Sequence, residues 1–326
     1  MNLTPIDFNN PTHCEAMAGL WTGACGPALA LSPRFVQYST RPIKNIVQNG
    51  WFAWREGEPL GFVIASKLDV MTSDNDEAGP SDRGWISAIA TLPETQRQGI
   101  GTTLLAWAEG WLADLGCHQI MLGANFRPFV PGLPMELGTE SFFLRHGYAQ
   151  ADMVWDMAAN LAKYSPPSIL REVEGAVRPA QPGQEQALLA FLSQEFPGRW
   201  HNEFDQFVAE GGRISDYMLL WTERGITGFC RVTFEDSQRT VERFYPYQLP
   251  RPWGQLGPIG ISQAERGMGF GASLLDAGLR RLHNNGINGC VIDWTTQVDF
   301  YAKFGFKQYR SYLQMVKSLK KPHSHS

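Results

Sequence analysis

The chain has 326 residues, 43% of them hydrophobic, and its 28 basic and 32 acidic side chains leave a net charge of −4. That length holds two domains with a core each, and the near balance of charge excludes a basic nucleic-acid face or a polybasic membrane patch. Five scattered cysteines without C-x-x-C spacing (Cys14, Cys25, Cys117, Cys230 and Cys290) exclude a zinc or disulfide framework, and no apolar run reaches membrane-spanning length.

The start, Met1-Asn2-Leu3-Thr4-Pro5-Ile6-Asp7, has no basic segment leading into an apolar core, so a reducing cytoplasm is the expected compartment. Proline- and glycine-containing sequence to about Pro42 reads as irregular. Residues 51–54 and 60–66 read as paired strands around Glu56-Gly57-Glu58, and 69–84 as a polar surface loop. A strand at 85–91 leads into Gln96-Arg97-Gln98-Gly99-Ile100-Gly101, followed by a helix at 104–115 that Gly116 stops, and a strand at 118–122. The segment 125–137, rich in proline and carrying Phe126, Phe129 and Val130, reads as an insert. It is expected to pack on the other domain or to edge that domain's cleft. Phe142-Phe143-Leu144-Arg145-His146-Gly147-Tyr148 follows it.

A linker is expected at 163–176, punctuated by Ser165-Pro166-Pro167-Ser168. It divides a first domain, 1–162, from a second, 177–319, with a polar tail at 320–326. Its histidines, His323 and His325, make a poor metal site. Val177-Arg178-Pro179 reads as a first strand, 184–196 and 203–210 as helices, and 218–222 with 226–234 as paired strands. An aromatic and proline segment, Phe244-Tyr245-Pro246-Tyr247 and Pro250-Arg251-Pro252-Trp253, precedes a strand at 257–262. Then come Arg266-Gly267-Met268-Gly269-Phe270-Gly271 and a helix whose Leu275, Gly278, Leu279 and Leu282 form one apolar stripe.

The two glycine-rich loops are copies of each other. Their first residues lie 170 positions apart (266 minus 96), and the register holds onward: Gly99 with Gly269, Gly101 with Gly271, Leu104 and Leu105 with Leu274 and Leu275, Leu112 with Leu282, Gly116 with Gly286. Glycines between a strand and a helix let successive main-chain N–H groups and the positive helix end face a diphosphate. A dinucleotide fingerprint, Gly267-x-Gly269-x-x-Ala272 with Asp293 as its acid, also fits this stretch, but too little chain follows for the rest of such a sheet. With Phe300-Tyr301-Ala302-Lys303-Phe304-Gly305-Phe306, these motifs resemble the GNAT superfamily of N-acetyltransferases, in which R/Q-x-x-G-x-G/A holds the pyrophosphate of acetyl-coenzyme A. The resemblance implies an α+β fold, two domains in tandem, each a mixed, mostly antiparallel sheet flanked by helices, with two acceptor-facing helices in the stretch before about Pro42.

It also implies roles. Arg266 through Gly271 would hold acetyl-CoA, as Gln96, Arg97, Gln98, Gly99, Ile100 and Gly101 could in the first half. The strand at Ile259, Gly260 and Ile261 would pair with the pantetheine arm, and one of its N–H groups would polarise the thioester carbonyl. An alkyl ammonium, with a pKa by analogy near about 10.4, must lose a proton before attack. Asp293 is the candidate base, with a helix cap or structural hydrogen bond as its alternative. Tyr301 would donate to the departing thiolate, with core packing as its alternative. Trp200, Trp253 and Trp294 lie on segments the family places near the acceptor, although eleven tryptophans in one chain are mostly core.

After twelve extra residues the first half places Phe143 at the Tyr301 position, and it has Gly123 at that of Asp293, so it is expected to be catalytically degenerate unless Glu136, Glu140 or His146 substitutes. The expected reaction is acetyl transfer to a small-molecule amine, which the slight acidic excess suits. The tandem layout and aromatic segment look similar to glucosamine and glucosaminide N-acetyltransferases, which implies an aminosugar acceptor. Aminoglycosides, amino acid conjugates, protein lysines or N-termini remain open as acceptors, as does a non-catalytic acetyl-CoA sensor.

Overall fold

The computed structural model describes residues 1–69, 82–241 and 248–319. Most of the surface loop expected at 69–84, the aromatic stretch 244–247 and the tail 320–326 lie outside them. In chain order the first half forms β1 (Asn2–Pro5), α1 (Pro11–Cys25), α2 (Pro33–Thr40), β2 (Ile46–Arg55), β3 (Glu58–Leu68), β4 (Arg83–Thr91), α3 (Ile100–Asp114), β5 (Gln119–Leu122), β6 (Leu133–Pro134), α4 (Glu140–Arg145) and β7 (Ala149–Asn160). The second half forms β8 (Ala176–Pro179), α5 (Glu185–Glu195), α6 (Arg199–Ala209), β9 (Tyr217–Thr222), β10 (Gly225–Thr233), β11 (Trp253–Ile261), α7 (Phe270–Asn284), β12 (Gly289–Thr295), α8 (Val298–Ala302) and β13 (Lys307–Ser318).

The opening stretch forms the two helices that the resemblance implies, rather than the irregular run its prolines suggest. Pro11 and Pro33 occupy the first positions of α1 and α2, where a missing N–H costs no helical bond, behind Asn10 and Ser32 as caps. Asn10 accepts from the Thr12 N–H and Ser32 from the Phe35 N–H. Proline here starts helices rather than breaking them.

The chain divides into two compact units, Met1–Val154 together with the stretch from Ser311, and Trp155–Arg310. These do not coincide with the linear segments 1–162 and 177–319. From Trp155 onward β7 pairs with β12, while the part of β13 after Ser311 pairs with β5, Val316 lying opposite Met121. A sequence duplication assigns a strand to the copy that encodes it, whereas compactness assigns it to the strand it bonds. Each unit thus takes part of its last strand from the other half's coding segment.

In the first unit β1, β2, β3 and β4 run antiparallel in order and β5 joins β4 in parallel. In the second, β8 to β11 repeat that order and β12 joins β11 in parallel. Trp85 opposite Met121 and Gln255 opposite Val291 are the same pair 170 residues apart, so the duplication extends to strand register. The expected stripe of α7 is buried, with Leu274, Leu275, Leu279 and Leu282 packed on the sheet. A Cβ built at Gly278 would come within 2.6 Å of Leu256 Cδ1, and its absence lets helix and sheet approach closely. In the first unit Leu104, Leu105, Ala108 and Leu112 of α3 do the same. Burial of each such leucine contributes about 1.5–3 kcal/mol.

The segment 125–137 packs within its own unit. Phe129 meets Trp21 of α1, Phe35 of α2 and Phe62 of β3 at ring separations of 5.4, 5.5 and 6.4 Å. Its Leu133–Pro134 pair forms β6, which bonds the Ser311 side of β13.

Candidate active site

Both units fork their sheet at the same place. The parallel pairing of β4 with β5 ends at Ile86, and that of β11 with β12 at Gln255, yet β4 runs on to Thr91 and β11 to Ile261. Beyond each fork one strand edge faces away from its parallel partner, an edge an extended ligand can use as a strand does. In the second unit that edge carries Ile259, Gly260 and Ile261, whose other edge is paired to Cys230, Phe229 and Gly228. A Cβ at Gly260 would fall 2.7 Å from Phe196 Cζ, so glycine lets that ring close over the strand.

Each fork ends at a glycine-rich turn. Gly267 and Gly269 have φ of 80° and 96°, and Arg97 and Gly99 have 61° and 83°. The first unit thus holds an arginine in the left-handed region where the second uses glycine, a conformation that costs about 1–2 kcal/mol for a non-glycine residue. No side chain caps α3 or α7, so their first-turn N–H groups face the turn. In the second unit buried Glu265 clips the turn in place, accepting from the Ser262 hydroxyl and from the Arg224 guanidinium. Burial pushes the Glu265 carboxyl up, but these two donors more than offset it and hold it below the usual range. Thr95 stands at that position in the first unit and bonds the Leu92 carbonyl at 2.9 Å.

At the second fork Asp293 lies under β11. The Gln255 amide donates to its Oδ1 at 3.0 Å and the buried Arg239 guanidinium stands 3.6 Å from its Oδ2. Gln255 also donates to the Gly257 carbonyl at 3.1 Å and accepts from the Thr233 hydroxyl at 3.0 Å. Gly257 makes this network possible: a Cβ there would meet Gln255 Nε2 at 2.8 Å and Asp293 Oδ1 at 3.5 Å. Asp293 and Trp294 form a bulge in β12 opposite β7, with Trp294 at φ 49° and its N–H donating to Asp156 at 3.0 Å. The bulge turns the Asp293 side chain out of strict alternation, a device that re-aims side chains near active sites. Arg239, Gln255 and Glu265 carry no motif and escape a reading by spacing.

Tyr301, the fourth residue of α8, is 6% exposed and packs with Phe300 and Phe306. Burial pushes its phenol well above the usual range, Asp293 and the Cys230 thiol add to that, and a bond with Thr295 partly opposes it. The hydroxyl therefore keeps its proton through the physiological range. Of the tryptophans, Trp294 carries the Arg199 guanidinium 4.0 Å over its ring. Trp200 is half-buried against Phe196 and Phe229 at 5.0 and 5.7 Å. Trp253 must be removed from the acceptor contacts. It begins β11, is 7% exposed among Val241, Val291 and Leu249, and its indole N–H bonds the Leu249 carbonyl at 2.9 Å, so it is a core residue at the strand end remote from the turn.

The first unit opens a cleft of about 550 Å³ from its own turn, lined by Gln96, Arg97 and Gly99, past Ser87 to Ala90 of β4, to Trp21 and Cys25 of α1. Phe143 and Gly123 line it where the second unit has Tyr301 and Asp293. A Cβ at Gly123 would lie 2.5 Å from the Val130 carbonyl and 2.8 Å from Gly132 N, so the segment 125–137 fills the space a carboxylate would need. Burial, with Glu136 adding, pushes the Cys25 thiol up to about 12, which keeps it a poor nucleophile. His146 lines the cleft with both ring nitrogens engaged, by the Phe142 carbonyl at 2.8 Å and Thr102 at 3.2 Å.

Among the described residues no group of three or more His, Cys, Asp or Glu side chains could hold a metal ion, and no helix is long and apolar enough to cross a membrane.

Comparison with known proteins bears on the same features. The profile of the Acetyltransferase (GNAT) family matches twice, at residues 30–127 and 185–306. Mycothiol acetyltransferase of Geodermatophilus obscurus is 27% identical over 249 residues, 72% of this chain and 74% of that protein. That of Nocardia farcinica is 26% identical over 245 residues, 69% and 72% of the two. Among solved structures, the glucosamine N-acetyltransferase region of a fungal multi-domain GH3 β-N-acetylglucosaminidase superposes with a TM-score of 0.83 at 22% identity, covering 97% of this chain and 38% of that one. A tandem GNAT protein of the clavulanic acid biosynthesis pathway superposes with a TM-score of 0.71 at 14% identity, covering 97% and 98%. Two forks, two glycine turns and two family matches agree: the chain belongs to the GNAT acetyltransferase family, carries its fold twice, and is an acyltransferase.

Proposed function

We propose that the second unit moves the acetyl group of acetyl-CoA to the primary amine of a small acceptor, an aminosugar being the preferred class. The observation that carries this reading is the convergence of Asp293 and Tyr301 at a fork whose counterpart has Gly123 and Phe143. The turn from Arg266 to Gly271 would hold the pyrophosphate, with Gly267, Met268, Gly269 and Phe270 offering main-chain N–H groups. The open edge of β11 would take the pantetheine arm.

Attack then runs by direct displacement. The amine nitrogen adds to the thioester carbonyl carbon, and an N–H of Ile259, Gly260 or Ile261 steadies the oxyanion of the tetrahedral adduct. Asp293 takes the ammonium proton, held in aim by Gln255 and Arg239. The carbon–sulfur bond breaks, the thiolate takes the Tyr301 phenolic proton, and the remaining excess N–H proton of the adduct passes to the tyrosinate so formed. Holding amine and thioester together removes much of the entropic barrier. Trp294 and Trp200 would border the acceptor.

The aminosugar acceptor draws support from the aromatic side chains and from the overall likeness to a glucosamine N-acetyltransferase region. The relatives named mycothiol acetyltransferase favour a second reading, a mycothiol-type acceptor. Free-thiol release with glucosamine, chito-oligosaccharides, mycothiol-type amines, aminoglycosides and a peptide panel separates these. Turnover is expected with glucosamine or a glucosaminide. Turnover confined to peptides removes the small-acceptor reading, and acetyl-CoA binding without turnover on any amine makes the protein a sensor. The near-neutral charge and the absence of a membrane-spanning helix among the described residues fit a cytoplasmic enzyme.

A further inference from the structure

The connection between the two repeats, expected from its Ser-Pro-Pro-Ser to be a spacer, lies along α7 of the second unit. The Tyr164 hydroxyl donates to Asp276 Oδ1 at 2.9 Å, and Asp276 pairs with Arg280 on the next turn at 2.8 Å. Leu170 and Val173 pack on the apolar cluster under α7. A Cβ at Gly175 would lie 3.4 Å from Phe270 Cε1, just before β8 begins. The connection therefore follows α7 from its middle to its N-terminus, arriving at the glycine turn.

There it brings a charge. The three atoms nearest a Cβ built at Gly269 are Val173 Cγ1 at 3.6 Å, Arg171 Cβ at 3.8 Å and Arg171 Cδ at 4.0 Å. The arginine stem lies along the glycine that precedes α7. Val173 anchors the backbone beside it. Arg171 is exposed, and no ion pair or hydrogen bond engages it among the described residues. The turn of the first unit has no such neighbour: nothing lies within 4 Å of a Cβ at Gly99.

We propose that Arg171 is a cofactor-binding residue of the second unit, closing over the pyrophosphate of the coenzyme that the turn cradles, so that the inter-repeat connection is part of the site. The inference rests on the assignment of acetyl-CoA to that turn. A guanidinium matches the planar pair of phosphate oxygens, and a charge-assisted bond of this kind outweighs a neutral one. Solvent exposure moderates the effect.

The test is steady-state kinetics and acetyl-CoA binding of the full chain with Arg171→Ala, Arg171→Lys and Gly269→Glu. Arg171→Ala is expected to raise KM for acetyl-CoA about three- to tenfold, the scale of an exposed charge-assisted bond, with kcat and the acceptor KM unchanged. Arg171→Lys should recover part of the loss. The dephospho cofactor, lacking the 3′-phosphate, should show the same ratio, because the contact is to the pyrophosphate. An unchanged KM overturns the proposal. A lowered KM overturns it too, since the connection would then obstruct the turn. If Gly269→Glu leaves turnover intact, the underlying cofactor assignment fails; if Gly269→Glu abolishes turnover while Arg171→Ala changes nothing, only the role of Arg171 fails.

Discussion

At the two forks, one backbone carries two different sets of side chains. Gly123 and Ala124 at φ 65° and 58° stand where Asp293 and Trp294 form the bulge of the second unit, so the left-handed turn is retained in part while the carboxylate is lost. Ser87 stands where Gly257 makes room for the Gln255–Asp293 network. It bonds Ser66 at 2.9 Å and Asn125 at 2.6 Å, a buried neutral cluster in place of an ionic one. Thr95 replaces the Glu265 clip, Phe143 replaces Tyr301, and Arg97 replaces Gly267. The changes concentrate on side chains that titrate or hydrogen-bond, while the turn, the fork and the helix behind it are common to both units. In this pair both units offer main-chain N–H groups and only one carries the titrating side chains, because those N–H groups come with the fold and the side chains do not.

The comparison is broken most directly at the turns. Gly269→Glu is expected to abolish thiol release, since its φ of 96° strains any side chain and the new carboxylate opposes the phosphates, whereas Gly99→Glu should leave turnover near wild type. Loss of turnover in both variants would end the division of labour between the units.

Next in size is Tyr301→Phe. Loss of general-acid help costs about 10²–10⁴-fold in rate, so kcat should fall on that scale with acetyl-CoA affinity nearly unchanged. A kcat equal to wild type would return Tyr301 to the core.

Asp293→Asn should lower activity most at low pH, where the acceptor amine is most fully protonated. It also removes one partner of the buried Arg239 guanidinium, so thermal stability should drop together with activity. Wild-type activity at low pH would leave Asp293 a structural carboxylate. In the other direction, Gly123→Asp should not restore chemistry to the first unit. Left-handed strain and the clash with the Val130 carbonyl predict a lower melting temperature and no new turnover in a Gly269→Glu background.

The smallest effect sharpens the contrast between the Glu265 clip and Thr95. The carboxyl of Glu265 is lowered in the folded chain, so its contribution is fully present above the unfolded pKa of about 4.3 and is lost as pH falls through the folded value. The melting temperature should therefore fall with acidification below that point, and Glu265→Gln should flatten the fall. A Glu265→Gln profile parallel to wild type would remove the clip as its source.

Much of the second unit was legible because its signals are local. The stripe of α7, the strand before the turn and the strand of Cys290 to Ile292 need only periodicity and glycine position to be read. The first two helices do not stand out by residue pattern alone, because Pro11 and Pro33, which would break a helix in its interior, here start one behind a polar cap. Trp253 lies on a segment the family places near the acceptor, yet it opens β11 and turns inward. Arg239 and Gln255 reach Asp293, and Arg224 reaches Glu265, across long stretches of sequence that only strand pairing brings together, so no spacing rule finds them.

The sequence by itself determined that one fold occurs twice, where each glycine turn begins, and which copy kept an aspartate and a tyrosine, since these are matters of residue identity and short-range pattern. Tertiary structure alone decided which strands complete which unit, that the segment 125–137 occupies the space of the missing carboxylate, and that the connection ends beside Gly269. Those outcomes depend on pairing and packing between residues far apart in the chain, where the energy of a contact is set by its neighbours in space.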